Sequence, residues 1–292
     1  MLGHVTTSTP PAGHRITEVD VFSATPLLGN ALAVIHDADD LSDAQMAAIA
    51  RWTNLSETTF LCQPTDPAAD YRVRIFTTGG ELPFAGHPTL GSAHAWLEAG
   101  GVPHTPDRII QECGAGLVPV RRGELLAFAA PPLRRSGPVS EELRAQVLRV
   151  NGLDPADVVD MAWVDNGPGW IGVELTSAAA VLAVVPDAAA YDGLKVTLLG
   201  RYAADVAAAR GIDVEVRAFY ADGRDFEEDP VTGSANAGLA QWLIGAGRLP
   251  RRYAAGQGRV RQRDGRLYVE ADDDQVWIGG DVTTLVRGLL DL

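Results

Sequence analysis

Two short runs of small residues, Pro88-Thr89-Leu90-Gly91-Ser92-Ala93 and Val231-Thr232-Gly233-Ser234-Ala235, sit at similar depth in the two halves of this chain. Each leads into a helix that carries a tryptophan, Trp96 or Trp242, and stops at glycines. In an Ala- and Gly-rich sequence such a match gains weight from position, and here it points to an internal repeat of one α/β unit. Each half reads strand, turn, strand, helix, strands, helix, strands. Two such units predict a mixed α/β (α+β) fold of two pseudo-symmetric lobes with a cleft between them. Two helix N-termini aimed into that cleft suit an anionic small molecule, because unpaired N–H groups and the helix dipole favour negative charge there.

The elements follow from pattern. Ile16 to Phe22, Ala31 to His36, Thr58 to Gln63 and Arg72 to Thr77 read as strands, and Ser42 to Trp52 as a helix. Ser42 is its N-cap, with Gln45 three residues on as the capping-box partner. A second helix is expected over Leu90 to Ala99, and strands at Arg108 to Glu112, Gly116 to Arg121 and Leu125 to Ala129. Pro131-Pro132 closes the first half. In the second, Ser140 to Val150 and Ser234 to Ile244 read as helices, and Lys195 to Ala209 as strand plus helix or one helical stretch. Met161 to Val164, Trp170 to Glu174, Val214 to Tyr220, Arg259 to Gln262, Arg266 to Glu270 and Gln275 to Gly279 read as strands. The expected organisation is a flexible tail at 1–14, a lobe at 15–131 and a lobe at 132–292, with a last helix packing back on the first lobe.

Composition narrows the partners. Lys and Arg total 24 against 38 Asp and Glu, a net charge of −14 with no evident basic stripe, which disfavours nucleic acid. Two cysteines, Cys62 and Cys113, are too few for a disulfide framework or a zinc site and fit a reducing, cytoplasmic setting. Apolar runs such as Ala178 to Val185 fall short of the roughly 20 residues that cross a bilayer, and the polar start lacks a signal-peptide core. No dinucleotide fingerprint, Walker loop or nucleophile elbow is present, so no organic cofactor or metal is implied.

Three segments carry chemistry. Glu57, in Asn54-Leu55-Ser56-Glu57-Thr58, is either a surface carboxylate or a general acid/base whose pKa is raised by apolar neighbours. His87, in Gly86-His87-Pro88-Thr89, is either a turn residue or an imidazole presented at a helix start. Asp229 precedes Pro230 and the small-residue run Thr232-Gly233-Ser234, and by itself stays ambiguous. His94 lies seven residues from His87, but no carboxylate or cysteine cluster completes a metal site.

Taken together, Asp20-Val21-Phe22, Gly29-Asn30, the Glu57 and His87 segments, Asn166-Gly167-Pro168-Gly169-Trp170, Glu228-Asp229-Pro230-Val231-Thr232-Gly233-Ser234-Ala235 and Gln257-Gly258 resemble the PhzF-like phenazine-biosynthesis isomerase family. The resemblance spans roughly Ile16 to Leu290. It implies the diaminopimelate-epimerase-like fold, with each lobe a curved mixed sheet around a central helix, and a homodimer. It also implies cofactor-free isomerisation of trans-2,3-dihydro-3-hydroxyanthranilate, in which a glutamate takes a proton from one ring carbon and returns it to another. By motif match Glu57 would be that acid/base, and His87 and Asp229 would orient the substrate's polar groups. Asn30, Ser56, Gly86, Thr232, Gly233 and Ser234 would complete the binding site, with the backbone at Gly86, Gly233 and Ser234 holding the carboxylate. Racemising relatives use two cysteines at the helix starts, places held here by Gly86 and Asp229. The sequence departs from the family at Ala31, where Pro is frequent, and at Asn236-Ala237, where His-Cys is common. Two rival readings remain: an epimerase or tailoring enzyme for another unsaturated or cyclic amino acid, and a non-catalytic binder of a small anion or a protein.

Overall fold

The computed structural model describes residues 13–222, 225–272 and 275–292, so most of the expected tail lies outside the described residues. His14 is already in the first strand, two residues ahead of the expected start at Ile16, because β1 has a partner along its whole length.

The first half runs β1 (His14–Val21), β2 (Asn30–Ile35), α1 (Asp43–Thr53), β3 (Thr58–Cys62), β4 (Tyr71–Thr77), β5 (Gly80–Leu82), α2 (Gly86–Glu98), β6 (Arg108–Cys113), β7 (Gly116–Arg122), β8 (Leu126–Ala129) and β9 (Arg135–Pro138). After α3 (Glu141–Val150), the second half runs β10 (Val158–Asp165), β11 (Ile171–Leu175), α4 (Ala178–Ala183), β12 (Lys195–Arg201), α5 (Ala204–Arg210), β13 (Val214–Asp222), β14 (Asp225–Asp229), α6 (Gly233–Gly245), β15 (Arg252–Gln257), β16 (Gly265–Ala271), β17 (Val276–Gly280) and β18 (Val282–Leu290).

The pairings repeat strand for strand. β1–β2 is antiparallel, β2–β3 parallel, β3–β4 and β4–β5 antiparallel, β4–β6 parallel, and β6–β7 and β7–β8 antiparallel. The series β10 to β17 reproduces this order of parallel and antiparallel contacts. Both halves are therefore mixed sheets, and each wraps a central helix, α2 or α6. Those helices are buried on nearly every side, as a helix enclosed by a curved sheet must be. Small residues permit the enclosure: a Cβ on Gly91 of α2 would meet Leu32 Cδ2 at 2.5 Å, and one on Gly238 of α6 would meet the Val164 carbonyl at 2.3 Å.

The ninth strand of each half crosses over. β9 pairs with β10 of the second sheet, while β18 returns to pair with β1 of the first, and β8–β17 pairing joins the two sheets. The expected last helix is thus a strand, since Val282, Thr283, Thr284 and Val286 are β-branched residues that fit an extended ladder. His94 hydrogen-bonds Thr284 Oγ1 at 2.9 Å, and Glu98 accepts from Arg287, so α2 is tied to that strand.

Other differences have local causes. α2 begins at Gly86, ahead of the expected Leu90, because Pro88 falls in the first turn, where no backbone N–H is required. The expected strand at 259–262 is a tight 3-10 turn, enforced by left-handed Gly258 (φ 97°) and Gln262 (φ 58°). No helix of the described residues is long and apolar enough to cross a membrane.

Candidate active site

Asp20, buried at the end of β1, accepts the Gly29 N–H at 3.0 Å and so folds the 27–29 loop back on itself. A side chain on Gly29 would strike the Val21 carbonyl at 2.3 Å, so only glycine allows this closure. The loop delivers Asn30 to the cleft. Asn54 caps α1 in the left-handed conformation (φ 55°), and the chain then turns through Ser56 and Glu57 into β3. His87 sits in the first turn of α2, and Asp229 closes β14.

These elements bring four side chains from both halves into one line. Glu57 Oε2 lies 3.5 Å from His87 Nε2, and His87 Nδ1 lies 3.3 Å from Asn30 Nδ2. Asn30 Nδ2 donates to Asp229 Oδ1 and to the Val231 carbonyl, both at 2.9 Å. Those two bonds use both amide hydrogens of Asn30. His87 Nδ1–H is then left for the Ala31 backbone, and the Nε2 lone pair faces Glu57. Glu57 Oε2 and His87 Nε2 are both buried without a hydrogen-bond partner.

Burial dominates the electrostatics. Desolvation pushes the Glu57 carboxyl from 4.5 up to about 8, reinforced by the charges of Asp229 and Glu227. Desolvation likewise raises Asp229 to about 7, against the opposing hydrogen bonds of Thr232, the Val231 N–H and Asn30. His87 is pushed down to about 3 by burial and stays neutral at physiological pH. The site therefore pairs two carboxyls that titrate near neutrality with an imidazole that does not, a pattern typical of proton-transfer centres.

The two central helices meet beside this line. A Cβ on Gly86 would lie 2.9 Å from the Gly233 Cα, and one on Gly233 would lie 3.0 Å from the Gly86 Cα. This backbone contact sets the repeat register: Gly86 corresponds to Gly233, whereas the matching letters suggested an alignment of Thr89 with Thr232. It also places Asp229 on the strand ahead of the second helix start. Neither α2 nor α6 has a side-chain N-cap bond. Two positive helix ends with free N–H groups thus converge at one point.

Thr232 and Ser234 hold the second start in place. Gln257 Oε1 accepts from the Thr232 N–H at 3.0 Å and from Asn236 Nδ2 at 2.9 Å, while its Nε2 donates to Thr232 Oγ1 at 2.9 Å. Trp170 Nε1 donates to Ser234 Oγ at 3.0 Å, and Asn166 Nδ2 to the Ser234 carbonyl at 2.8 Å. Sequence reasoning assigned no role to Asn236, or to Arg217. The latter grips Glu228 with two hydrogen bonds, of 2.8 and 2.9 Å, next to Asp229. Their signal was a polar residue inside an otherwise apolar run. A cleft of about 480 Å³ lies beside the site and meets it at Asn30, with Ser56, Glu227, Pro230, Arg261 and Arg263 also among its walls; Glu57, His87 and Asp229 do not line it.

Comparison with known proteins gives a consistent result. The family described as "Phenazine biosynthesis-like protein" (PhzC-PhzF) matches residues 19–288. Antisense-enhancing sequence 1 of Schizosaccharomyces pombe is 34% identical over 298 residues, covering 94% of this chain and 98% of the relative. The trans-2,3-dihydro-3-hydroxyanthranilate isomerase of Pseudomonas aeruginosa is 34% identical over 278 residues, covering 89% of this chain and 91% of that enzyme. The crystal structure of a PhzF-family protein from Enterococcus faecalis superposes with a TM-score of 0.77 at 25% identity, covering 96% of this chain and 100% of that one.

Proposed function

Since the chain belongs to the phenazine biosynthesis-like (PhzC-PhzF) family and is an isomerase, we propose that it moves a proton within a small, unsaturated carboxylic acid. Glu57 is the acid/base in this reading. The observation that carries it is the facing pair of buried, unpartnered atoms, Glu57 Oε2 and His87 Nε2, in a site where Glu57 titrates at about 8. A carboxyl with that pKa takes and returns a proton near neutral pH with little driving force lost in either direction.

The substrate carboxylate lies against the N–H groups at Gly86, Gly233 and Ser234, where two helix ends supply positive potential. His87 and Asp229 fix the polar substituents, His87 through its Nε2 lone pair and Asp229 through a carboxyl anchored by Asn30. The Glu57 carboxylate then removes a proton from one carbon, the electron pair shifts across the adjacent double bond, and Glu57 returns the proton to the far carbon. One C–H bond breaks and one forms, so the step balances with no co-reactant. The side chains present supply every proton movement, and the reading calls for no cofactor.

The likeness to the Pseudomonas aeruginosa enzyme supports trans-2,3-dihydro-3-hydroxyanthranilate as the substrate. Proton NMR of that compound in D₂O, with the wild type and with Glu57→Gln, tests both points. Loss of its ring signals with the wild type alone is expected. Unchanged spectra with both proteins would remove this substrate, and equal turnover by Glu57→Gln would remove the mechanism. The reading also carries a cytoplasmic homodimer, which light scattering and localisation of a tagged chain check.

A further inference from the structure

Gln257 stands at the end of β15, buried, with its amide fully occupied. Oε1 accepts from the Thr232 N–H at 3.0 Å and from Asn236 Nδ2 at 2.9 Å, while Nε2 donates to the Asp229 carbonyl at 3.0 Å and to Thr232 Oγ1 at 2.9 Å. Both lone pairs and both hydrogens are thereby used, so this side chain has nothing left to offer a substrate. The backbone partners also fix which way the amide points, because an N–H can face only its oxygen and a carbonyl only its NH₂. Gly258 makes the close approach possible: it is left-handed (φ 97°), and a Cβ there would lie 2.6 Å from the Pro230 carbonyl.

That orientation governs the Thr232 hydroxyl. Its oxygen receives a hydrogen from Gln257, so its own hydrogen cannot point back, and the acceptor it meets is the Asp229 carboxyl. The hydrogens therefore run one way, from the Gln257 amide to the Thr232 hydroxyl to Asp229. There Thr232 joins the Asn30 amide and the Val231 N–H as donors, which favour the charged carboxyl against burial and the charge of Glu227 on the same strand. The other titratable groups facing Asp229 are Glu57, from the turn before β3, and Tyr220, from β13, while His87 of α2 stands behind Asn30. The first half shows a plain brace for contrast. Gln111 of β6 donates to Thr89 Oγ1 at 3.0 Å and accepts from the Tyr71 hydroxyl at 2.9 Å. In the Gly86–Gly233 register Ala85 takes the place of Thr232, so no hydroxyl stands there to pass a hydrogen on. The added bonds of Gln257 all go to Asp229 and Thr232.

We propose that Gln257 is a positioning residue for the reaction, acting through the Thr232 hydroxyl to hold Asp229 in place as a hydrogen-bond acceptor for the substrate. This rests on the reading in which Asp229 fixes a polar substituent of the substrate. Carbon-13 NMR titration of the aspartate carboxyls in substrate-free protein, with Asp229→Asn identifying the signal, provides the test. Thr232→Val removes a donor to the carboxylate and should move the Asp229 titration upward by about 0.5–1 pH. Thr232→Ser keeps the hydroxyl and should leave that titration near its wild-type position. Gln257→Met should reproduce about half of the Thr232→Val move or more, and the double variant should go no further than Thr232→Val alone, since the two residues act in series. In turnover, Gln257→Met should raise KM below pH 7 by roughly twofold or more with little change in kcat. Gln257→Asn, which keeps an amide but shortens its reach, gives the same reading if the methionine variant does not fold.

An Asp229 titration that stays in place in the Gln257 variants, or moves that add in the double variant, would overturn the proposal and leave Gln257 a brace like Gln111. The titration is read without substrate, so its failure leaves the acid/base reading of Glu57 intact. If proton exchange fails while Asp229 moves as expected, the reading of Glu57 falls and the coupling of Gln257 to Asp229 stands.

Discussion

Replacing Glu57 with glutamine should make the protein more stable at alkaline pH while it destroys activity. The folded chain holds the Glu57 proton up to a pH of about 8, whereas the unfolded chain releases it near 4.5. Between those values the native state binds more protons than the unfolded state, so stability falls as pH rises. Each pH unit in that window is worth about 1.4 kcal/mol, which caps the effect at about 5 kcal/mol. Asp229 titrates in the same range, and sharing of protons between the two carboxyls lowers the expected difference to about 2–3 kcal/mol. Glutamine keeps the shape and carries no proton to lose. Urea denaturation at pH 5 and pH 8.5 is the assay, with turnover measured on the same samples. At pH 5 the two proteins should unfold at similar urea concentrations; at pH 8.5 the variant should require more, while its rate falls roughly 10²–10⁴-fold. A variant that is equally or less stable than wild type at pH 8.5 would refute the claim that Glu57 is held in an unfavourable environment.

The other predictions probe the groups around it. His87 is neutral down to about pH 3 when folded but protonates near 6.5 when unfolded, so its contribution is complete above pH 6.5 and is lost as pH falls; His87→Gln should flatten the acid limb of the stability profile, by roughly 3 kcal/mol at most at pH 4. Gly86→Ala places a methyl 2.9 Å from both the Gly233 Cα and Phe128 Cζ, so it should destabilise by about 1–3 kcal/mol in thermal melts and lower activity by parting the helix starts. Arg217→Met strands the mostly buried Glu228 carboxylate and should cost about 3–5 kcal/mol in urea titrations, most of which Arg217→Met with Glu228→Leu should restore.

How much of this was legible in the sequence depended on how local each signal was. The capping box at Ser42 and Gln45 was readable because both partners lie within one helical turn. The repeat was readable as element order, but its register was not, since the glycines at 86 and 233 are demanded by contact with each other across 147 residues (233 − 86). β15 went unread because Arg252-Tyr253-Ala254-Ala255-Gly256-Gln257 has few β-formers and owes its conformation to β13 and β16. The acid, imidazole and second carboxylate could be named from their segments, whereas their connection through Asn30 could not. That side chain meets Asp229, which lies 199 positions further along the chain, only in the folded structure.

The crossing of the ninth strands bears directly on how such a site stays aligned. Glu57, His87 and Asn30 come from the first half and Asp229 from the second, so neither half holds this line of side chains alone. Two lobes joined only by a linker would move relative to one another by default. Here β9 is hydrogen-bonded into the second sheet, β18 into the first, and β8 to β17, so both sheets are continuous across the junction. The Gly86–Gly233 contact adds a backbone seat at the centre, leaving no side chain whose rotation could shift one helix start against the other. A 3.5 Å gap between Glu57 and His87 is then a dimension fixed by the scaffold. On the proposed reading, a ligand atom that hydrogen-bonds to both groups would supply the partner that each lacks.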